Sequence, residues 1–447
     1  MSRLYVFVLP LVLLLSACDS GAKREEGSNL QGHTAPTEVT INANQAVLSQ
    51  RPFGNMADFD DAKRGLIAQD KQLITKDSNG NVVWDMPSYS FINSKGANGA
   101  SPDSVNPSLW RQATLNNIHG LFKVTEGIYQ LRGYDLANMT IIEGDTGWII
   151  VDPLTAKETA DKALQFAQKH LGKHPINAII YTHSHIDHFG GIEGILDNLS
   201  ESEQKALRII APEGFMEEAT SENIIAGIAM GRRASYMYGR SLARNERGHV
   251  GTGLGKGPAF GRFSLLSPTE IVSETGTKLD IDGVPFEFQA VPGSEAPAEM
   301  TFYLPKQKAF CGAELLSRNM HNLYTLRGAK VRDANLWSDY IVQAREMFAD
   351  SDVYFASHHW PMWGKDNIRL FLTQQSDTYK YIHDQSVRLF NQGYTPNEVA
   401  EEITLPASLN TAFHNQGYYG TVKHNAKAVY QAYLGWYTGN PAQLDPL

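Results

Sequence analysis

The sequence predicts a layered α/β domain followed by a helical appendage, and three observations support this prediction. Short runs rich in β-branched and aromatic residues lie between residues 128 and 151, separated by Gly and Asp turns, which is typical of consecutive antiparallel strands. A helical segment then leads into a buried strand near residue 180, and a loop rich in polar residues follows that strand. After about Gly364 the pattern becomes helical.

Local signals place the individual elements in chain order. Thr155 with Glu158 predicts a capping box, which begins a helix that runs to about Leu171 and is closed by Gly172. Residues 395–398 contain a second box of this kind, at the start of a C-terminal helix. The predicted strands are 128–131, 139–142, 148–151, 178–181, 208–210, 286–288, 300–304 and 352–355, and the predicted C-terminal helices are 365–391, 396–403 and 423–436.

Composition bounds the class of protein. The 447-residue chain is 42% hydrophobic and 10% aromatic, which is enough to build a sizeable buried core. Its 39 basic and 48 acidic residues give a formal net charge of -9, and Lys and Arg do not cluster along the sequence. We therefore expect no nucleic acid among the partners.

The first 18 residues resemble a bacterial lipoprotein signal. Arg3 precedes an apolar run from Leu4 to Leu15 that is too short to span a bilayer, and the segment ends in Leu-Ser-Ala-Cys at Cys18. The resemblance implies that Cys18 is lipidated and becomes the mature N-terminus, at the periplasmic face of a bacterial membrane. The alternative is an ordinary secretory signal with a chance cysteine. Under both interpretations the protein is exported.

The remainder of the chain divides by composition. The only other cysteine is Cys311, so we expect no internal disulfide. No later stretch is long and apolar enough to be a transmembrane helix, so we expect membrane contact through the lipid alone. The predicted regions are a signal at 1–18, a flexible tether at 19–50, an N-terminal decoration at 51–109, the α/β domain that carries the chemistry at 110–364, and a helical region at 365–447.

Residues 182–191 carry the densest chemistry, with the sequence Thr-His-Ser-His-Ile-Asp-His-Phe-Gly-Gly. His183 and His185 occupy alternate positions and can point the same way, while Asp187 and His188 can turn to a second ion. With 14 histidines in 447 residues, this His-x-His-x-x-His spacing is improbable by chance. The two glycines at its end let the backbone pass close to the site without a Cβ clash. The loop therefore predicts ligands for two metal ions.

This loop resembles the signature of the metallo-β-lactamase superfamily. That resemblance implies an αββα sandwich with a dinuclear site at one edge, so that the expected fold class is α/β with a C-terminal helical appendage. It also implies three further ligands. Glu314, in Phe-Cys-Gly-Ala-Glu, matches the bridging acid, and residues 357–361 match the last histidine loop. His359 is preferred to His358 there, because the family places Pro two residues after the ligand.

The remaining ligand departs from the usual family pattern. Where most members have Pro-Gly-His, residues 291–299 read Val-Pro-Gly-Ser-Glu-Ala-Pro-Ala-Glu. Glu295 in that segment is similar to the alkyl sulfatase branch, whose zinc enzymes hydrolyse alkyl sulfate esters such as dodecyl sulfate. Residues 221–239, 322–329 and 417–425 resemble the same branch. The likeness covers about residues 110 to 447.

The resemblance implies a catalytic centre with two Zn²⁺ and a hydroxide bridging them as the nucleophile. The three carboxylates and the hydroxide balance the charge of two zinc ions, so a cationic side chain is needed to bind an anionic sulfate ester. Asp187 is expected to act in catalysis as well as in metal binding. The expected metal ligands are His183, His185, Asp187, His188, Glu295, Glu314 and His359.

Arg327 is the expected sulfate clamp, because a guanidinium can pair with two sulfate oxygens in one plane. Tyr238, Asn322 and His424 are expected to donate hydrogen bonds to the sulfate or to protonate the departing oxygen. The alternatives are that Tyr238 is a core aromatic, Asn322 a turn residue and His424 a helix-start residue.

Other polar residues near these segments have less specific interpretations. Glu299 is expected either to orient a ligand histidine or to lie on the surface. Lys330 and Arg332 are expected on a solvated face.

The expected function is zinc-dependent hydrolysis of linear alkyl sulfates to alcohol and inorganic sulfate. Relatives in that branch continue through a complete dimerisation domain and a sterol-carrier-like domain, whereas this sequence ends at Leu447, so homodimer formation and alkyl-length preference stay open. Two alternatives remain. One is a hydrolase of another ester, lactam or phosphodiester, against which Glu295 argues. The other is a non-catalytic metal-binding lipoprotein, against which the complete ligand set argues.

Overall fold

The computed structural model describes residues 33–92 and 100–445. The predicted signal, with the proposed lipidation site Cys18, lies outside the described residues. Among the described residues, no helix is long and apolar enough to cross a membrane.

The described strands form a large sheet of eight strands, a small sheet of six strands and a two-stranded hairpin, β2 with β3. The large sheet has the order β1-β4-β5-β6-β7-β8-β9-β10, and the small sheet runs from β11 to β16 in sequence order. The strands are β1 (Leu66–Ala68), β2 (Ile74–Lys76), β3 (Val82–Asp85), β4 (Gly120–Thr125), β5 (Ile128–Arg132), β6 (Met139–Glu143), β7 (Trp148–Val151), β8 (Ile176–Ile180), β9 (Arg208–Pro212), β10 (Glu270–Val272), β11 (Lys278–Ile281), β12 (Val284–Ala290), β13 (Met300–Leu304), β14 (Ala309–Cys311), β15 (Val353–Phe355) and β16 (Met362–Trp363).

Helices cover the outer faces of both sheets. Short 3₁₀ turns lie at Pro87–Tyr89, Ile186–His188, Phe413–Asn415 and Pro441–Gln443, and a π turn lies at Ser221–Ile225. The α-helices are α1 (Glu38–Leu48), α2 (Ala57–Lys63), α3 (Pro107–Leu115), α4 (Lys157–Leu171), α5 (Ile192–Leu196), α6 (Glu201–Ala206), α7 (Phe215–Thr220), α8 (Gly227–Met237), α9 (Ala334–Met347), α10 (Lys365–Phe390), α11 (Pro396–Glu402), α12 (Ala407–Asn410) and α13 (Val422–Leu434).

The alternation of side chains along β7 explains the layered packing. Ile149 and Val151 point to the core between the two sheets, where they join Phe286, Phe302 and other residues of the small sheet. Ile150 points the opposite way, into a cluster that includes residues of α4 and α5. A third cluster packs the other face of the small sheet against α9, α10 and α13. This arrangement is the αββα sandwich that was expected, with helices on both outer faces.

Two local predictions at the N-terminal side were wrong. Part of the predicted tether is α1, which is tied to the body by a hydrogen bond of 2.8 Å from Asn44 Nδ2 to Asp103 O. The capping box at Thr155 is also wrong, although the helix it was meant to begin is present as α4. The Thr155 hydroxyl donates to Asp135 (2.8 Å) and Glu158 accepts from the backbone of Arg262 (2.9 Å), so both side chains are taken by residues distant in sequence.

The C-terminal predictions were confirmed. The helices predicted at 365–391, 396–403 and 423–436 are α10, α11 and α13. Thr395 and Glu398 form the expected capping box, with Glu398 accepting from the Thr395 backbone at 2.8 Å.

The topology brings the ends of several strands to one edge of the sandwich. β7 and β8 are parallel in the large sheet, while β12, β14 and β15 run in one direction in the small sheet. Backbone hydrogen bonds join the loops across the two sheets at this edge, from Ser184 N to Ala298 O (3.1 Å) and from Met300 N to Thr182 O (2.9 Å). The loops after these five strands therefore meet, and we call this side the site edge.

Candidate metal centre and its cavity

Two groups of buried histidines and carboxylates lie at the site edge. The first ligand group is His183, His185, Glu295 and Glu314, and the second ligand group is Asp187, His188, Glu314 and His358. Within each group the ligand atoms all lie within 4.8 Å of one another. Glu314 belongs to both groups, so its carboxylate is placed to bridge two ions.

The loop after β8 supplies ligands to both groups because its conformation changes within the motif. His185 is still extended, with φ -79° and ψ 145°, and a 3₁₀ turn begins at Ile186. This turn brings Asp187 and His188 into the second ligand group, although the ring of His188 stays 3.9 Å from the ring of His183, centroid to centroid. The glycines that follow are needed for packing, since a Cβ on Gly190 would lie 2.3 Å from Thr155 O and one on Gly191 would lie 2.2 Å from Pro153 O.

The distances in the first ligand group fit a bound cation. His183 Nε2 lies 3.4 Å from Glu295 Oε2 and 3.2 Å from Glu314 Oε2. Ligand atoms about 2.0–2.2 Å from a tetrahedral zinc ion are separated from each other by about 3.3–3.6 Å. His183 Nε2 and Glu295 Oε2 are buried and have no hydrogen-bond partner among the described residues. Buried polar atoms of this kind are rare unless they hold an ion or water.

The second ligand group has the same character. His188 Nε2 lies 3.2 Å from Asp187 Oδ2 and 3.3 Å from Glu314 Oε2, and it too is buried without a hydrogen-bond partner in the described part of the chain. His358 Nε2 lies 3.0 Å from Glu314 Oε2 and 3.6 Å from Asp187 Oδ2. Imidazole and carboxylate donors suit zinc and related divalent ions.

The structure corrects the expected ligand His359 to His358. Both ring nitrogens of His359 are already engaged, since Nδ1 accepts from Arg318 N (3.1 Å) and Nε2 donates to Gly253 O (3.1 Å). His359 has a left-handed φ of 64°, so its side chain leaves the cluster. The expectation that Pro361 lies two residues after the ligand therefore selected His359, the wrong member of the histidine pair.

Asp152 supports the second ligand group from behind. It follows β7, has a left-handed φ of 55° and accepts a hydrogen bond of 2.9 Å from His188 Nδ1. The hydroxyls of Thr182 (2.8 Å) and Ser357 (2.7 Å) also donate to this carboxylate. Burial opposes ionisation of Asp152, but the charge and hydrogen bond of His188, the nearby His183 and the backbone amide of Thr182 outweigh burial and lower its pKa. The contact fixes the His188 tautomer, leaving Nε2 free for a metal.

Glu299 is neither a surface residue nor a partner of a ligand histidine. Its buried carboxylate accepts from four backbone amides, those of Glu295 (3.2 Å), Ala296 (3.3 Å), Glu314 (3.1 Å) and Leu315 (2.6 Å). Burial, together with the negative charges of Glu295 and Glu314, raises the pKa of Glu299 to about 8. Glu299 therefore joins the two loops that carry the acidic ligands.

Two polar residues near the first ligand group differ in their exposure. Arg332 was expected on a solvated face, but it is 5% exposed and forms an ion pair with Glu295. Lys330 is exposed as expected and pairs with Glu218 at 2.7 Å. Sequence reasoning missed His321, whose Nε2 lies 3.0 Å from Glu314 Oε1.

A cavity of about 460 Å³ opens above the two groups. Its polar side includes members of both groups, His185, Asp187, Glu295 and Glu314. The other walls are largely apolar and are formed by Leu136, Ile186, Met230, Ala234, Leu254, Phe260 and Phe263. The cavity can therefore hold a polar head against the cluster and an apolar tail beyond it.

Arg327, the expected sulfate clamp, and Tyr238, an expected hydrogen-bond donor to the sulfate, both line this cavity. Arg327 Nη2 donates to Glu222 Oε2 at 2.9 Å, and Tyr238 Oη lies 3.0 Å from Tyr419 Oη. Burial raises the pKa of Tyr238, so its hydroxyl stays protonated at neutral pH. Sequence reasoning gave no role to Glu222 or Tyr419, although both lie in the segments that resemble the alkyl sulfatase branch.

Asn322 and His424 are not among the described residues that line the cavity. The Asn322 side chain accepts from Arg332 Nη1 at 2.5 Å, and it is fully buried. His424 lies in the first turn of α13, where its backbone amide donates to Thr421 Oγ1 at 3.1 Å. The position of His424 favours the helix-start interpretation, whereas Asn322 is a buried contact of Arg332 and does not lie in a turn.

Comparisons with known proteins agree with this fold. The family model described as metallo-beta-lactamase superfamily matches residues 132–216, and the one described as alkyl sulfatase dimerisation matches residues 395–447. The chain is 49% identical over 411 residues to a linear primary-alkylsulfatase of a Pseudomonas species, covering 91% of this chain and 60% of the relative. It is 48% identical over 428 residues to an alkyl/aryl-sulfatase of Saccharomyces cerevisiae, covering 95% and 65%.

A solved structure gives the same result. The stereoselective inverting sec-alkylsulfatase of a Pseudomonas species superposes with a TM-score of 0.89 at 44% identity, covering 93% of this chain and 65% of that one. The chain thus spans about 60–65% of the length of these relatives. A two-sheet sandwich with histidine and carboxylate ligands at one edge defines the metallo-β-lactamase class. The chain has the metallo-β-lactamase fold, and over more than nine-tenths of its length it is similar to alkylsulfatases.

Proposed function

We propose that this protein hydrolyses linear alkyl sulfate esters to an alcohol and inorganic sulfate, using two zinc ions. The observation that carries the proposal is the pair of ligand groups sharing Glu314 at one end of a cavity whose other walls are largely apolar but also contain Arg327 and Tyr238. The similarity to alkylsulfatases over more than nine-tenths of the chain supports the same reaction class.

His183, His185, Glu295 and Glu314 would hold one ion, and the second ligand group would hold the other. Zinc in these positions would supply Lewis acidity and lower the pKa of a water molecule toward neutrality. All seven side chains are buried, and four of them line the cavity through which water and substrate would reach the metals, namely His185, Asp187, Glu295 and Glu314. Asp187 also faces the cavity, so it can accept a proton from an attacking water as well as bind metal.

Arg327 is the proposed sulfate-binding residue. Its guanidinium lines the cavity and is held in place by Glu222, which leaves the planar group pre-oriented for an anionic head group. Tyr238 lines the same wall and can donate its proton to a sulfate oxygen or to the departing alkoxide.

Sulfate release from dodecyl sulfate by the full chain tests this proposal. We expect release that is lost on chelation and restored by zinc. Arg327→Ala should lower kcat/KM by about 100-fold or more, since it removes a buried charge contact. Arg388→Ala, an exposed arginine on α10, serves as the matched control and should leave kcat/KM unchanged. Absence of release by the zinc-loaded protein would contradict the proposal, and a panel of other esters and lactams would follow.

We also propose that the protein is an exported lipoprotein, anchored through Cys18. The support is the sequence pattern of the first 18 residues. Metabolic labelling with a palmitate analogue should mark the wild type but not Cys18→Ser.

A homodimer is proposed as well, because the dimerisation family model matches residues 395–447. Light scattering of the purified chain would give the mass that decides it.

A further inference from the structure

Arg332 makes an unusually complete set of contacts for an arginine in a loop. Its Nη2 donates to Glu295 Oε1 at 2.5 Å, and its Nε donates to the carbonyl oxygen of the same residue. Its Nη1 donates to Asn322 Oδ1 at 2.5 Å and to Asn322 O at 2.8 Å. The guanidinium is therefore fixed between two loops of the site edge and presents one prong to the Glu295 carboxylate.

This contact makes the two oxygens of Glu295 different from each other. Oε1 is held by Arg332, whereas Oε2 is buried without a hydrogen-bond partner among the described residues. Oε2 lies 2.9 Å from His185 Nδ1 and 3.4 Å from His183 Nε2. Rotation of the carboxylate to offer both oxygens would break the contact with Arg332. The geometry thus leaves Glu295 one oxygen for the first ligand group.

Arg332 also changes the charge of the centre. A histidine ligand is neutral, whereas Glu295 adds a negative charge beside the negative charge of Glu314. The buried guanidinium, 5% exposed, returns one positive charge next to Glu295, and Arg332 is also among the residues that line the cavity. A negative substrate therefore meets a centre that is less negative than its ligand carboxylates alone would make it.

We infer that Arg332 is a positioning residue that holds Glu295 as a one-oxygen ligand and cancels its charge. The inference rests on the metal centre of the proposed function. Its tests measure binding of the metal and of inorganic sulfate, so they remain decisive even if hydrolysis is never found.

Zinc and cobalt titrations of the full-length chain, with a competing chelator, test the inference. We expect Arg332→Gln to weaken the ion of the first ligand group by about 10–100-fold, the usual effect of losing such a supporting contact. The Co²⁺ absorption bands should change with it. Lys330→Gln, an exposed neighbour two residues away, is the matched control and should bind both ions as the wild type does. Unchanged affinities and spectra in Arg332→Gln would overturn the inference.

A double variant separates positioning from general loss of structure. Glu295→His combined with Arg332→Gln restores the net charge of the wild-type pair, so its zinc-loaded form should bind inorganic sulfate more tightly than zinc-loaded Arg332→Gln does. If it binds sulfate no better, charge cancellation is refuted. Arg332→Lys keeps the charge without the planar fork and covers the case in which Arg332→Gln does not fold. It should lose at least about three-fold in zinc affinity, and wild-type affinity would refute the positioning role.

Discussion

The two ligand groups are alike in their ligands and opposite in what supports them. Each has two histidines and one carboxylate of its own, and each shares Glu314. Glu295, the acid of the first group, forms an ion pair with the cation Arg332. Behind His188 of the second group lies the anion Asp152.

This difference teaches that supporting residues match the chemistry of the ligand they contact. A carboxylate ligand is held by a positive group, which takes one oxygen and offsets the charge. A neutral imidazole is held by a negative group, which fixes the tautomer and increases the basicity of the other nitrogen. The two ions should therefore respond differently to changes in residues that touch no metal.

The largest effect should come from the residue that the groups share. Glu314→Gln replaces the common carboxylate by an amide, so both ions should be weakened and zinc should fall below one per chain after gel filtration. Sulfate release should drop by about 1,000-fold or more. Glu126→Gln, an exposed carboxylate after β4, is the control. If Glu314→Gln kept two ions, the two groups would be independent and the comparison would fail.

The adjacent histidines test which residue belongs to the second group. His358→Ala should lose about one zinc ion per chain, because it removes a ligand from that group alone. His359→Ala should keep both ions and lose about 1–3 kcal/mol of unfolding free energy, because its contacts with Arg318 N and Gly253 O are structural. Metal analysis and thermal unfolding of the two variants decide between them. Loss of zinc from His359→Ala with retention in His358→Ala would reverse the assignment.

Asp152→Asn addresses the support of the second group. The ring of His188 loses its anionic partner, so zinc in the second group should be weakened by about 10–100-fold, while the first group is unaffected. The combination with His358→Ala identifies the affected ion. Asp152→Asn should add little to the metal loss in His358→Ala, but it should add fully to the loss in Arg332→Gln. If Asp152→Asn reduced zinc affinity by the same factor in the His358→Ala and Arg332→Gln backgrounds, Asp152 would not act on the second group alone.

The sequence predicted the elements that local patterns determine. The three antiparallel strands β5 to β7 were predicted because β-branched runs end at Gly and Asp turns. The capping box of Thr395 was found because both partners lie within four residues. The box at Thr155 failed because Asp135, twenty residues earlier, takes the Thr155 hydroxyl. A side chain that serves a distant contact cannot be distinguished in sequence from one that caps its own helix.

The same limit applies to the candidate site. The structure brings together the four residues of the loop after β8, which one short motif contains, along with the two glutamates indicated by the resemblance. The choice between His358 and His359 depends on a left-handed backbone at His359, which the sequence does not reveal. Arg332 and Lys330 look alike in sequence. Only the fold places Glu295, 37 residues earlier, beside Arg332.

A titrating residue outside both groups, His249, provides a reference for them. Burial, with the cations Arg244 and Lys256 nearby, lowers the pKa of His249 to about 4. Its Nδ1 lies 3.0 Å from Tyr89 Oη, far from the loops that carry the ligands in sequence. The folded state keeps His249 neutral while the unfolded state takes up a proton below about pH 6.5. Stability should therefore be complete above that pH and fall as the pH drops from 6.5 toward 4, by as much as about 3 kcal/mol.

His249→Gln should flatten this part of the stability profile, whereas His170→Gln, an exposed histidine on α4, should not. Urea unfolding between pH 4 and 7 measures the slope, with and without zinc. Because His249 contacts neither group, the difference between variant and wild type should be the same in both conditions. If the slopes of His249→Gln and the wild type differed only with zinc present, this buried histidine would be coupled to the metal centre. Metal binding would then act on residues outside the two ligand groups.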